Sequence, residues 1–546
     1  MDSYFDVVVV GSGAAGLTAS AIAASEGLKT LLVEKRATIG GTTMLSGGTV
    51  WIPNNHIAKQ HGIYDTEDKA HKYLEAVLDS DQSEHITATA KNRKEYIKKA
   101  SQMILYLNNR GMRWKLSKFP DYQPRLEGAL PAGGRTVNPE IFDARALESW
   151  ITLLDLSLSS NIPYFETFPD ATRRRAPVTQ SNQENLYTDP TRGTENLKLS
   201  MGCSLIAQLL LICKTSNRVT IWMETAFSDL LLEENAVVGV ELQRGGKKFR
   251  VQSKATLLAV AGFARNQNMR EKYLQKPTNV NWTLSQLNGD DGHVLEAMRS
   301  RGAKTSLLQE KWGIPTMEDP LTGQLIPAVF VMSKPHCIVV NTIGHRFCNE
   351  ARPYGDYNQD ADSRMPSWLI LDTTYLRKYT IGSLLSLPGQ VEMAMNGGYL
   401  RQSYSLPGLA KQLEIQPEVL ARTIDEWNVS CEKGKDIHFG KGEDEYQRFI
   451  GDDSMEPNPN MGPIVASPFY AIQIFPGDAG TKGGLLTDEK GRVAHESGGV
   501  IDGLYASGNI TASPFGKPSI GAGVTIGPAM TFAYIAMLDL SKKIQR

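Results

Sequence analysis

The chain predicts an α/β fold with a Rossmann-like nucleotide-binding part that begins near residue 6 and to which the chain returns after residue 500. Three stretches carry that prediction: a strand–glycine turn–helix–strand unit over residues 6–34, a run of strands over 225–266, and a glycine-rich return over 503–527. At 546 residues the chain also exceeds the roughly 250–300 at which one hydrophobic core stops growing, so a second domain is expected.

Asp6-Val7-Val8-Val9-Val10 reads as a fully buried parallel strand, a short β-branched run ended by glycine. Gly11-Ser12-Gly13-Ala14-Ala15-Gly16 comes next, with a small-residue helix from Ala14 to Ser25 that Gly27 ends. Thr30 to Val33 supplies a second apolar strand, finishing at Glu34-Lys35. With 49 glycines, chance alone supplies about 0.4 GxGxxG matches, so the motif takes its force from its place in a βαβ unit. Gly11 allows the tight turn, Gly13 lets the backbone approach a pyrophosphate, and Gly16 lets helix and strand pack closely. The phosphates then meet free amides at the helix N-terminus. Glu34 stands at the strand end, where a carboxylate accepts ribose hydroxyls. This is a Rossmann-like dinucleotide site.

The residues after Glu34 favour FAD over a nicotinamide dinucleotide. Gly40-Gly41-Thr42-Thr43 and Ser46-Gly47-Gly48 form a second glycine- and hydroxyl-rich stretch directly after the acidic strand end, suited to a large flavin. Leu230 to Glu233, Val237 to Leu242 and Thr256 to Val260 read as strands. They start near Ala226 and lead into Ala261-Gly262-Phe263-Ala264-Arg265-Asn266, a turn placed to close over the nucleotide. After about 240 residues Gly503-Leu504-Tyr505-Ala506-Ser507-Gly508-Asn509 brings the chain back. Gly521-Ala522-Gly523-Val524-Thr525-Ile526-Gly527 then opens a C-terminal helix whose first amides can meet the flavin pyrimidine. Expected cofactor contacts are therefore Gly11, Ser12, Gly13, Ala14, Ala15, Gly16, Glu34, Lys35, Gly41, Thr42, Thr43, Ser46, Gly47, Gly48, Ala226, Ala261, Gly262, Asn266, Gly508, Asn509, Gly523, Val524, Thr525 and Ile526. The chain has no second strand–GxGxxG–helix unit, so electrons are expected to leave to an external acceptor such as a quinone, a dye or oxygen.

A formal charge of −1, from 58 basic and 59 acidic residues, offers no electrostatic case for nucleic acid. The one basic cluster, Arg173-Arg174-Arg175, lies in the polar, Asn- and Thr-rich stretch 160–200 and reads as a solvated loop. Five cysteines, scattered and without CxxC spacing, argue against a disulfide framework and against a metal site. No signal-peptide pattern and no membrane-spanning run is visible, so the cytosol is the expected compartment, with peripheral membrane contact left open.

Taken together these blocks resemble the fumarate reductase and 3-ketosteroid dehydrogenase superfamily of FAD flavoproteins, along nearly the whole chain. The resemblance implies an FAD-binding domain in two parts, 1–305 and 484–546, and an inserted α+β catalytic (substrate-capping) domain at 306–483. Arg346-Phe347-Cys348-Asn349-Glu350 resembles the RFxNE motif after which the dicarboxylate reductases carry an arginine acid. Here Tyr354 takes that position, as in the ketosteroid dehydrogenases, and Arg352 stands two residues out of register. Ala479-Gly480-Thr481-Lys482-Gly483-Gly484 lacks the reductases' histidine before TxGG. Pro120-Asp121-Tyr122-Gln123-Pro124, Gly133-Gly134 and Trp51-Ile52-Pro53-Asn54-Asn55 also resemble the steroid enzymes.

That branch implies 1-dehydrogenation of a 3-ketosteroid or 3-keto-triterpenoid, a small-molecule steroid-like ketone. FAD N5 takes hydride from C1, Tyr354 takes the C2 proton with Tyr122 assisting, and the loop at Ser519 and Gly523 holds the carbonyl. One place departs from the pattern: Ser519 stands where a YPGPG tyrosine is usual, and its shorter hydroxyl cannot reach the same oxygen without a substrate shift or a bridging water. Leu384, Leu385, Leu387 and Phe515 are candidates for a sterol-sized pocket. Alternatives are a Δ4-dehydrogenase, a fumarate-reductase-like alkene reductase on a non-steroid substrate, and a flavoprotein without catalytic function.

Overall fold

The computed structural model describes residues 4–80, 87–156, 197–360, 365, 367–385 and 387–545. The Arg173-Arg174-Arg175 cluster and most of the polar stretch around it lie outside the described residues.

The first unit forms as its sequence dictates. β1 (Tyr4–Val10) pairs in parallel with β2 (Thr30–Val33), and α1 (Ala14–Ser25) joins them. Small residues let α1 be buried over nearly its whole length, between α4 (Met201–Ser216) and the C-terminal helix Ile526–Ile544. Between β2 and α4 the chain builds a side layer. Its helices α2 (Glu67–Ser80) and α3 (Thr87–Asn108) pack on a three-stranded sheet of Val50–Trp51, Thr136–Pro139 and Trp114–Leu116.

β3 (Val219–Trp222) extends the parallel sheet beside β2. β4 (Ala226–Glu233), β5 (Ala236–Arg244) and β6 (Lys247–Leu258) then form an antiparallel meander. β6 is longer than the expected strand from Thr256, because Gly245 and Gly246 turn at positive φ and start the return at Lys247. Its last residues lie parallel to β1 on one side and to β12 (Val500–Ala506) on the other, with β11 (Arg492–Ala494) at the edge. One sheet is thus completed by residues about 250 positions apart in sequence.

The intervening chain has its own core. β7 (Cys337–Val340), β8 (Ser367–Asp372), β10 (Phe469–Ile474) and β9 (Arg401–Ser403) form an antiparallel sheet in that spatial order. One face is covered by α5 (Pro417–Glu432) through Leu420, Ile424 and Trp427; the other packs Leu369, Leu371, Tyr375 and Tyr379. Thr305–Ser306 and Gly484–Leu485, on either side of this stretch, are antiparallel neighbours. The C-terminal helix α6 (Ile526–Ile544) begins later than the glycine run suggested, and residues 521–525 form the loop leading into it.

Candidate active site

A cavity of about 1110 Å³ runs from the carboxyl ends of β1 and β2 to the inserted domain. That exceeds the roughly 300–1,000 Å³ of a single small-molecule pocket. One end is built as a dinucleotide cradle. The N-cap of α1 is Gly13, with no side-chain cap of its own; Thr43 meets the Ala14 amide, and the Ala15 amide after it stays available to an anion. A Cβ on Gly13 would meet no protein atom nearer than Thr43 Oγ1 at 3.7 Å. Gly11 differs: its φ is +97° and a Cβ would stand 2.4 Å from the Ala259 carbonyl oxygen. Gly16 does not line the cavity, and a Cβ there would strike the Gly11 carbonyl.

Glu34 accepts from the Ser12 amide at 3.0 Å, the Ser12 hydroxyl at 2.6 Å and the Arg36 amide at 3.0 Å. A carboxylate has about four acceptor sites, so it keeps capacity for a ribose hydroxyl. Ser12 also accepts from the Gly40 amide at 3.0 Å, and Thr43 accepts from the Ala14 amide at 3.2 Å, which joins the two glycine turns. The residues present therefore fit FAD. Among the described residues no cluster of His, Cys, Asp or Glu is suited to a metal.

At the other end Tyr354, Tyr122, Ser519 and Gly523 line the same cavity. The Tyr122 and Tyr354 rings lie 5.5 Å apart between centroids, with Phe330 edge-on to Tyr354 at 6.0 Å. Burial pushes the Tyr354 phenol above its ordinary range, and a hydrogen bond from Tyr122 opposes that rise. Tyr122 itself is raised by burial and then by the neighbouring phenols Tyr354 and Tyr446.

Each tyrosine is carried by a buried ionic network. Arg346 bonds Glu350 through two contacts of 2.8 Å and Asp436 at 2.8 Å, and Lys441 stands 3.4 Å from Glu350. Two cations and two carboxylates make this quartet neutral, as a dry site requires, and it anchors the turn leading to Tyr354. Arg352 is exposed and outside the cavity, so it is not placed as a proton donor. Ahead of Tyr122, Asp121 accepts from Arg135 at 2.8 Å, from the Trp51 indole at 2.8 Å and from the Leu130 amide at 2.9 Å.

Of the expected cofactor contacts, all but Gly16 and Asn266 line the cavity. Asn266 is a correction: its side chain caps the helix Gln267–Tyr273 by accepting from the Met269 amide and donates to the Asp291 carbonyl, so it is consumed locally. Among the apolar candidates Leu385 lines the cavity, whereas Leu384 sits in the inserted core and Phe515 packs against Trp51 and Tyr96. Sequence reasoning missed Phe119, Phe330, Ile314, Trp312 and Asp290. Asp290 accepts from the Gly262 amide and the Ser285 hydroxyl, and its NGDDG turn was the available signal. The aromatics carried none, being indistinguishable in sequence from core residues.

This arrangement, a helix N-terminus and acidic strand end opening onto a tyrosine-lined chamber, defines an FAD-dependent oxidoreductase. The FAD_binding_2 family, described as an FAD binding domain, matches residues 6–526. The chain is 34% identical over 567 residues to the 3-oxosteroid 1-dehydrogenase of Mycobacterium tuberculosis, covering 98% of each. It is 31% identical over 564 residues to the 4-oxocyclohexanecarboxylate 2-dehydrogenase of Sinomonas cyclohexanicum, covering 98% of this chain and 92% of that one. Among solved structures it is similar to a 3-ketosteroid delta1-dehydrogenase from Sterolibacterium denitrificans in complex with 1,4-androstadiene-3,17-dione. That similarity has a TM-score of 0.87 at 32% identity and covers 99% of this chain and 100% of that chain. The chain belongs to the FAD_binding_2 flavoproteins, in the 3-ketosteroid Δ1-dehydrogenase branch. Its cofactor is FAD and it acts on CH–CH bonds. No helix among the described residues is long and apolar enough to cross a membrane.

Proposed function

We propose that the protein introduces a double bond between C1 and C2 of a 3-oxosteroid or similarly built polycyclic ketone, passing the electrons to an external acceptor. The observation that carries this reading is the Tyr122–Tyr354 pair on the wall of the cavity that also exposes Gly523. Bound FAD supplies the hydride acceptor. The chain's own groups do the rest: Tyr354, ionised with the help of a hydrogen bond from Tyr122, accepts the proton from C2, and the loop at Ser519 and Gly523 polarises the ketone and holds the charge that develops on its oxygen. Burial favours the neutral phenol, so phenolate character depends on the Tyr122 bond. Phe119, Phe330 and Ile314 keep water from the reacting carbons.

Ser519, with its shorter side chain, supports a second reading, in which the ring ketone is seated differently. A relative named for a monocyclic ketone, the 4-oxocyclohexanecarboxylate 2-dehydrogenase, fits that reading as well. Loss of one oxyanion donor typically costs about 3–4 kcal/mol of barrier. The deciding experiment mixes the enzyme anaerobically with a ring-A-saturated 3-ketosteroid and, in parallel, with a 4-oxocyclohexane carboxylate, while following flavin absorbance. Bleaching with a 1,2-unsaturated steroid product supports the first reading. Bleaching by the monocyclic ketone alone transfers the assignment to the second, and Tyr354→Phe removes most turnover under either. Full turnover in that variant eliminates Tyr354 as the base.

A further inference from the structure

The loop that presents Ser519 and Gly523 is held by its carbonyls, almost residue by residue. The Lys517 and Pro518 carbonyls accept from Lys482 Nζ, the latter at 3.3 Å. The Ile520 carbonyl accepts from the Tyr122 amide at 3.1 Å and the Tyr73 hydroxyl at 2.7 Å. Ala522 accepts from the Thr136 hydroxyl at 3.3 Å, and Gly523 from the Trp51 amide at 3.3 Å. Two of these donors are costly to place. Lys482 is 3% exposed, and burying an ammonium is tolerated only where carbonyls or charges repay its desolvation. Its Nζ also stands 4.3 Å from the centroid of the Trp312 ring, which lines the cavity. Tyr73 is 0% exposed, and its hydroxyl does two jobs: it donates to Ile520 and accepts from the Gln123 amide at 3.2 Å. That single oxygen ties the Tyr122 loop to the Ser519–Gly523 loop.

We infer that Tyr73 and Lys482 are positioning residues that hold residues 517–523 as a rigid ledge for the substrate ketone, Tyr73 also setting its distance to Tyr122. The inference rests on the ring-ketone reading above. It stems from Ser519: where a long phenolic side chain is missing, the carbonyl must be met by the loop itself, and a loop binds in one geometry only if its own backbone is fixed. Neither side chain lines the cavity, so neither touches substrate.

The test compares binding of a 3-ketosteroid and its 3-deoxy counterpart to the FAD-loaded enzyme by flavin absorbance, together with the rate of flavin reduction by the ketone. Lys482→Met and Tyr73→Phe are measured beside the parent; Tyr73→Phe removes one oxygen and leaves Ile520 its Tyr122 bond, which keeps the comparison usable if Lys482→Met does not fold. The expected result is a fall in reduction rate of about 10- to 100-fold, as for a misplacement near 1 Å. The preference for ketone over deoxy ligand collapses with it, while deoxy binding and FAD content stay at parental levels. Variants that keep the parental preference and rate overturn the inference. So does parallel weakening for both ligands with loss of FAD, which marks a general structural role. A parent that binds both ligands alike removes the ring-ketone reading, and this role with it.

Discussion

Replacing Tyr122 by phenylalanine removes one oxygen and leaves the ring, which touches Tyr354 at 5.5 Å and Tyr446 at 5.0 Å. Burial drives the Tyr354 phenol above its ordinary value of about 10, and the Tyr122 hydrogen bond is the group that pulls it back. A hydrogen bond to a charged partner is worth about 1.5–3 kcal/mol. At 1.36 kcal/mol per unit, its loss raises the Tyr354 pKa further by about 1–2 units. Below both pKa values the phenolate population then falls by about 10- to 100-fold. A stronger base recovers part of that loss, so the rate falls by somewhat less. The sign is fixed by the chemistry: activity rises with pH as Tyr354 ionises, and Tyr122→Phe displaces the rising limb to higher pH. The assay is anaerobic stopped-flow bleaching of the flavin by saturating ketone, from pH 6 to the alkaline limit of stability. A variant profile that superimposes on the parent in position and height refutes the role of Tyr122.

Two glycines of one motif separate cofactor binding from folding. Gly13→Ala meets no protein atom nearer than 3.7 Å and projects into the cradle, so the variant is expected to fold with its melting temperature intact and to retain FAD at least tenfold more weakly. Gly11→Ala meets the Ala259 carbonyl at 2.4 Å with φ at +97°, so it loses thermal stability with or without added FAD; the reverse pattern would contradict both assignments. Arg346→Met leaves Glu350 and Asp436 with one cation and costs about 3–5 kcal/mol. Burial pushes both carboxyls up, but the charge of Arg346, joined at Glu350 by Lys441, holds each below its ordinary value. The folded state then binds fewer protons than the unfolded one. The stabilisation is present above the ordinary carboxyl range near pH 4 and is lost as pH falls through the lower folded values. The gap in melting temperature between parent and variant should accordingly be wide at neutral pH and narrow on acidification, and an equal gap at both would refute the ion-pair account.

Much of the site could be read from the chain because its chemistry is local. The turn from Gly11 to Gly16, the acidic strand end at Glu34 and the hydroxyl-rich stretch from Gly41 to Gly48 each declare themselves within a few residues, and backbone geometry alone demands glycine at Gly11. Asn266 was misplaced for the same reason in reverse, since an asparagine beside a glycine turn looks identical whether it meets a ligand or caps the next helix. Phe119, Phe330 and Trp312 were illegible because an aromatic facing a cavity and one facing a core obey the same hydrophobic pattern.

The sequence by itself gave away the cofactor and the discontinuous main domain, and it singled out Tyr354 as the residue that resembles this branch of the family and Ser519 as the one that departs from it. Spacing and residue type suffice where function is carried by neighbours along the chain. Only the tertiary structure decided that Tyr73, Tyr122, Lys482 and Ile520 meet at one loop, because those contacts join residues up to 447 positions apart. Burial, which the fold alone creates, is also what turns an ordinary phenol into one that depends on its neighbour to ionise.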